Sequence, residues 1–285
     1  MADGAVGDAM RQWTPDQMVE RYNKGFGRGE GVLYRPWLGA GDVPSKGVVT
    51  EFQGRKVNRI HVALSNLELG AILAAQRIAR VVDIREQFPL WPLEETEAIA
   101  EKLGVTHPVH PRGGNIMMTT DILLTVEGAH ARPEPITVKP EGDLKDSRVL
   151  EKFEIERLYW DARGARLGIV TGQELPKGLV HNLSWIDDYH EITSETLSPE
   201  AIDGIGDHLF DRILANPRAA LNATCAEADN RMGYGSGTCL GVVRHAISRN
   251  LWTVPLAVRI DPGAPLPTPS RTTSMAAARA ARGRP

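Results

Sequence analysis

A chain of 285 residues, 42% of them apolar, is long enough for two compact domains and carries enough hydrophobic material for a core in each. Its 33 basic and 36 acidic side chains leave a formal charge of -3, which excludes a bulk polycation, so nucleic acid would have to be met through local basic patches. Cys225 and Cys239 cannot build a disulfide framework, no basic and apolar leader opens the chain, and no membrane-length apolar run occurs; a cytoplasmic protein without a membrane span is expected.

Thr14-Pro15-Asp16 supplies an N-cap, a proline at the first helical position and an early acid, and predicts a short helix to about Arg21. The glycine-rich run Lys24 to Gly31 resembles a phosphate loop but follows a helix rather than a strand, so it reads as a basic turn. Apolar spacing over Leu64, Leu67, Ile72, Ala75 and Ile78 predicts a helix from Ser65 to Arg80, with Ser65 as N-cap and Glu68 in its first turn. A strand follows over Val81–Phe88, stopped by Pro89, and a helix over Glu94–Leu103, closed by Gly104. Ile122–Val126 and Ile136–Lys139 read as a hairpin, Leu150–Tyr159 as a helix and Leu167–Thr171 as a last strand. Interleaved strands and helices predict an α/β core over about residues 50 to 175.

The composition shifts near Asp187-Asp188-Tyr189-His190, and Ser198-Pro199-Glu200 opens a new helix. Helices are expected over about 199–214, 217–229 and 236–249, followed by a proline-containing strand over Trp252–Ile260. Three helices and a β-wing predict a winged helix, with Leu240, Val243 and Ile247 in its core and Arg244 and Arg249 facing solvent or DNA. Beyond Pro262 the chain is rich in Pro, Ala, Ser and Thr with four arginines and no acids, which predicts a disordered basic tail. The expected domains are therefore 1–189, with a helical lead over 11–50, then 190–261 and the tail 262–285.

Metal-assisted phosphodiester hydrolysis needs carboxylates to hold a divalent cation and a further cation to stabilise developing charge. Glu68 on the first helix, Asp121 entering a strand and Lys139 on the next could supply them, with Thr137 on the same face as Lys139 and Val138 turned to the core. Taken alone, such residues also occur as helix-capping acids and surface lysines in many α/β proteins. His107 and His110 lack a third ligand nearby in sequence and read as loop residues, Arg85 and Glu86 as internally paired, and the cysteines as small core residues.

The strings Tyr34-Arg35-Pro36-Trp37, Arg59-Ile60-His61, Ser65-Asn66-Leu67-Glu68, Asp83-Ile84-Arg85-Glu86-Gln87-Phe88-Pro89-Leu90, Met118-Thr119-Thr120-Asp121, Val138-Lys139-Pro140 and Leu150 to Trp160 resemble, in the same order, the TnsA endonuclease family of heteromeric cut-and-paste transposases. That resemblance implies a restriction-endonuclease-like mixed sheet flanked by helices, and an enzyme that cuts the 5′ ends of a transposon. It places the two catalytic acids on Glu68 and Asp121 and the catalytic lysine on Lys139. Where the family has a glutamine two residues before the lysine, this chain has Thr137, a shorter ligand, which shifts weight to water or to the Val138 carbonyl at the metal. It further implies Mg2+, with Mn2+ as a substitute, transposon-end DNA, a TnsB-like DDE recombinase and a TnsC-like AAA+ regulator. A stand-alone restriction or repair nuclease and a non-catalytic winged-helix regulator are the alternatives.

Overall fold

The structure is a computed structural model that describes residues 12–42, 48–128, 131–192, 197–271 and 273–282. The chain divides into two units at Leu175/Pro176, earlier than the expected boundary after residue 189. The reason is a helix over residues 177–187 whose apolar side packs with the C-terminal helices.

The first unit opens with helix α1 (Pro15–Asn23), held by a full capping box in which Thr14 and Gln17 each bond the other's backbone. The glycine-rich turn after it packs onto the end of the sheet. Gly27 has φ +71° and a Cβ there would collide with the Pro89 ring, so only glycine fits. Strands β1 (Thr50–Gln53) and β2 (Ile60–Ala63) form an antiparallel hairpin that the sequence reading left unassigned. Ser65 caps helix α2 (Asn66–Arg77), and strand β3 (Val81–Pro89) leads into helix α3 (Leu93–Leu103), which ends on Gly104 in the left-handed region.

Strand β4 (Thr119–Val126) starts earlier than predicted, so Asp121 lies inside it rather than at its entry. Strand β5 (Arg132–Val138) ends one residue before Lys139. Helix α4 (Ser147–Asp161) and strand β6 (Gly168–Val170) complete a four-stranded sheet of order β3-β4-β5-β6, antiparallel except for the β5–β6 pair. Pro133 and Pro135 are tolerated in β5 because β6 pairs only with Ile136–Val138 and leaves the outer edge opposite the prolines open. One sheet face packs Ile84, Ile122, Leu124 and Val138 against Ile72 and Ala75 of α2; the other packs Leu123 and Leu90 against Tyr159 and Trp160 of α4. Mixed sheet and flanking helices match the expected α/β class.

The second unit contains helices α5 (Lys177–Asp187), α6 (Pro199–Ala215), α7 (Leu221–Met232) and α8 (Thr238–Ser248). The predicted wing strand over Trp252–Ile260 does not form. The buried amide of Asn182 takes over the backbone groups that a partner strand would satisfy, donating to the Leu256 and Val258 carbonyls at 2.8 and 2.7 Å and accepting from Ile260 N–H at 2.9 Å. A single bridge between Thr253 and Ser270 is all the β pairing in this unit among the described residues. The expected disorder after Pro262 is also corrected: Met275–Arg282 forms helix α9, packed on α6, because an alanine-rich run favours helix and its Arg279 finds Asp203 and Glu200 there. No helix among the described residues is long and apolar enough to cross a membrane.

Candidate active site

Ser65 fixes the first turn of α2 by accepting from the Glu68 backbone N–H at 3.1 Å and donating its hydroxyl to Glu68 Oε1 at 3.0 Å. Glu68 Oε2 accepts from Leu64 N–H at 3.0 Å and from Gln87 Nε2 at 3.2 Å. Gln87 reaches it because its φ of +49° takes it out of the regular ladder, while Thr119 Oγ1 holds its carbonyl end at 3.1 Å. The Glu68 carboxyl is thus oriented by one backbone and two side-chain contacts before any ligand arrives.

Asp121 sits across the sheet on β4. Its Oδ2 accepts from Val138 N–H at 2.7 Å, from Thr137 Oγ1 at 3.0 Å and from Lys139 Nζ at 3.2 Å. Thr137 and Lys139 therefore share a face, as alternation along a strand requires, and Val138 is buried in the core. Lys139 keeps 34% of its side chain exposed against 11% for Asp121, so the ammonium stands at the mouth of the site. Nearby Asp121 holds Lys139 above its ordinary range against the opposing effect of burial. Burial, then the charge of Asp121, pushes the Glu68 carboxyl up to about 7. Two hard-oxygen groups that repel one another at one end of a sheet are suited to a divalent cation, which would relieve that repulsion.

The structure adds a third carboxyl that the sequence reading missed. Glu156 of α4, only 4% exposed, accepts from Thr120 Oγ1 at 2.7 Å, and that hydroxyl in turn accepts from Trp160 Nε1 at 2.7 Å. Burial, and secondarily Asp121, raises it to about 8. It was missed because α4 also carries Glu151 and Glu154, and apolar spacing does not single out the buried one.

Other expected site residues lie elsewhere. Arg244 is half-buried: its guanidinium donates from Nε to the Trp185 carbonyl at 2.7 Å and stacks over Tyr189 at 3.6 Å, so it closes the end of α5. Arg249 pairs with Glu191 at 2.5 Å. His107 bonds Thr96 Oγ1 at 2.9 Å within the first unit, and no set of three or more His, Cys, Asp or Glu side chains among the described residues could hold a metal.

A family model described as TnsA-like endonuclease N terminal matches residues 79–172, and one described as TnsA endonuclease C terminal matches residues 174–256. The chain belongs to the TnsA endonuclease family. It is similar to the transposon Tn7 transposition protein TnsA of Escherichia coli, with 37% identity over 186 residues, which is 65% of this chain and 66% of that relative. The TnsA N-terminal match takes in Asp121, Thr137, Val138, Lys139 and Glu156 but begins after Glu68, whose place at the site rests on its contacts in the fold. In this TnsA family member the Thr137 hydroxyl donates to the Asp121 carboxylate.

Proposed function

We propose that the chain is a Mg2+-dependent DNA endonuclease that cuts the 5′, non-transferred strands at transposon ends, alongside a DDE recombinase and an AAA+ regulator in the cytoplasm. The observation that carries this reading is the convergence of Glu68, Asp121 and Lys139, with Asp121 fixed by Val138 N–H and Lys139 Nζ. The relative's printed name, a transposition protein, supplies the context.

In this reading Glu68, Asp121 and the Val138 carbonyl hold the metal. When bound, such an ion polarises the scissile phosphate and lowers the pKa of its water. The chain's own residues do the rest. Ser65, Leu64 N–H and Gln87 fix the Glu68 oxygens, and Thr137 with Val138 N–H fixes those of Asp121, so little reorientation is needed when substrate arrives. Lys139, cationic and partly exposed, stabilises charge developing on the phosphate oxygens. Ca2+ should not replace Mg2+, because its longer and looser coordination does not impose the same geometry.

The test is 5′-end nicking of a labelled transposon-end duplex with both partners present. Glu68→Ala and Asp121→Ala should each abolish nicking while leaving the folded state and assembly in place; normal nicking by either would refute the assignment.

A further inference from the structure

Helix α6 presents Glu200, Asp203, Asp207 and Asp211 on one side, and the chain lays its own C-terminal segment across them. Arg271 pairs with Asp207 and reaches Asp211 at 3.5 Å, with its guanidinium 4.0 Å from the Phe210 ring centroid. Arg279 pairs with Asp203 at 2.6 Å and with Glu200 at 2.9 Å. Between them Met275 N–H donates to Asp207 at 2.8 Å, and the Met275 side chain is 1% exposed against Gly206, where any Cβ would collide with it. Upstream the segment is anchored: Ile260 and Leu266 are buried, and Thr253 and Ser270 exchange backbone bonds at 2.8 and 3.0 Å.

We infer that the segment from Arg271 onward is a DNA-backbone-binding arm, held on the acidic side of α6 through Arg271, Met275 and Arg279 and released when phosphates compete for these arginines. The segment carries four arginines and no acid, the charge pattern of an element that binds DNA without reading sequence. Its dock is mostly ionic, with Met275 as its one apolar anchor among the described residues of the segment. Contacts of guanidinium with carboxylate can be exchanged for guanidinium with phosphate at little net cost, whereas a broad hydrophobic dock could not be. Of the two arginines placed toward DNA by sequence, Arg244 is held by the Trp185 carbonyl and Arg249 pairs with Glu191, whereas Arg271 and Arg279 sit on one chain-terminal segment whose paired release would present both together. From an anchored base at Ser270, fifteen extended residues reach about 50 Å. This inference rests on DNA being the substrate, but its readouts do not require cleavage.

The experiment uses the full chain and a duplex of arbitrary sequence at low salt, with tryptic cleavage after Arg271 and Arg279 as an independent measure of release. Asp203→Asn/Asp207→Asn loosens the dock from the α6 side by removing a carboxylate partner from each arginine; Met275→Ser loosens it from the arm without changing net charge. Each should be cut faster by trypsin and bind duplex about tenfold tighter, with a salt slope steeper by about two, one for each freed arginine. Adding Arg271→Ala/Arg279→Ala should remove both gains. Unchanged trypsin sensitivity would show that α6 does not store the arm. Faster cleavage without tighter DNA binding, or a gain that survives loss of the arginines, would assign the arm to a protein partner or to bulk charge and overturn the inference. Because nicking is not measured, these results stand apart from whether Glu68 and Asp121 are catalytic.

Discussion

Single residues at the site carry opposite demands. Glu68 and Glu156 are buried beside Asp121 and are raised to about 7 and about 8, so the folded chain holds protons there that the unfolded chain has released above about pH 4.5. A raised acid gives stability that is full below the unfolded value and is lost as pH rises through the folded one. Thermal stability of the metal-free chain should therefore fall between about pH 4.5 and 8. Glu156→Gln, which keeps the bond from Thr120 but cannot ionise, should flatten that fall and raise Tm near pH 8 by about 5 °C. A calorimetric series giving the variant the same pH slope as the parent would disprove this account. Of these residues, Glu68, Asp121 and Lys139 were singled out by the resemblance to the TnsA family, while the Ser65 cap and period-two alternation gave only the local placement of Glu68 and of Thr137 beside Lys139. Gln87 was not, since its contact depends on a positive φ that no sequence pattern marks, and Glu156 was hidden among the other acids of its helix.

At the level of elements, the strand–helix alternation was legible wherever a cap or a terminator stood beside an apolar period, as at Ser65, Pro89 and Gly104. It failed where a side chain replaced a secondary-structure partner. Trp252–Ile260 has strand composition, but Asn182, 74 and 76 residues earlier than its two carbonyl partners, bonds its backbone instead. Asn182→Ala should then cost about 1–3 kcal/mol, from buried groups left without partners, and should melt the second unit first. The β3 strand depends on an ion network of the same kind. Burial works against ionised Glu86, yet bonds from Arg59 and His61 outweigh it and hold the carboxyl at about 2. Arg59 Nη1 lies 2.7 Å from Glu86 Oε1, and Val62 N–H also donates to that oxygen at 3.0 Å, so the network ties β2 to β3 just before the Glu68 helix. Glu86→Gln would leave Arg59 buried without its counter-charge, at a cost of about 3–5 kcal/mol in denaturant melts. The parent's share of stability from Glu86 is present above about pH 4.5 and is lost as pH falls toward 2. A denaturation midpoint unchanged by the substitution would mean that the hairpin is held by packing alone.

At the scale of the whole molecule, a charge of -3 deprives the chain of the long-range attraction by which a free nuclease captures DNA. Arg271 and Arg279 of the C-terminal segment do not supply it while they face the acids of α6. A carboxyl at about 7 in the candidate site also means that near neutral pH a fraction of molecules holds a proton where a cation would bind, so metal affinity should rise with pH and release a proton on binding. Weak DNA capture and a partly protonated site together predict a protein that is nearly silent alone. With Mg2+ at pH 7, the purified chain should give little or no cleavage of transposon-end duplex, and adding a DDE recombinase and an AAA+ regulator should give robust 5′-end cutting. Delivery by an assembly replaces electrostatic capture through effective concentration, so stimulation should exceed what raising the concentration of the chain alone achieves. The decisive comparison is a titration of the chain without partners: cutting of arbitrary duplex that approaches the assembled rate would identify a stand-alone nuclease and remove the need for partners.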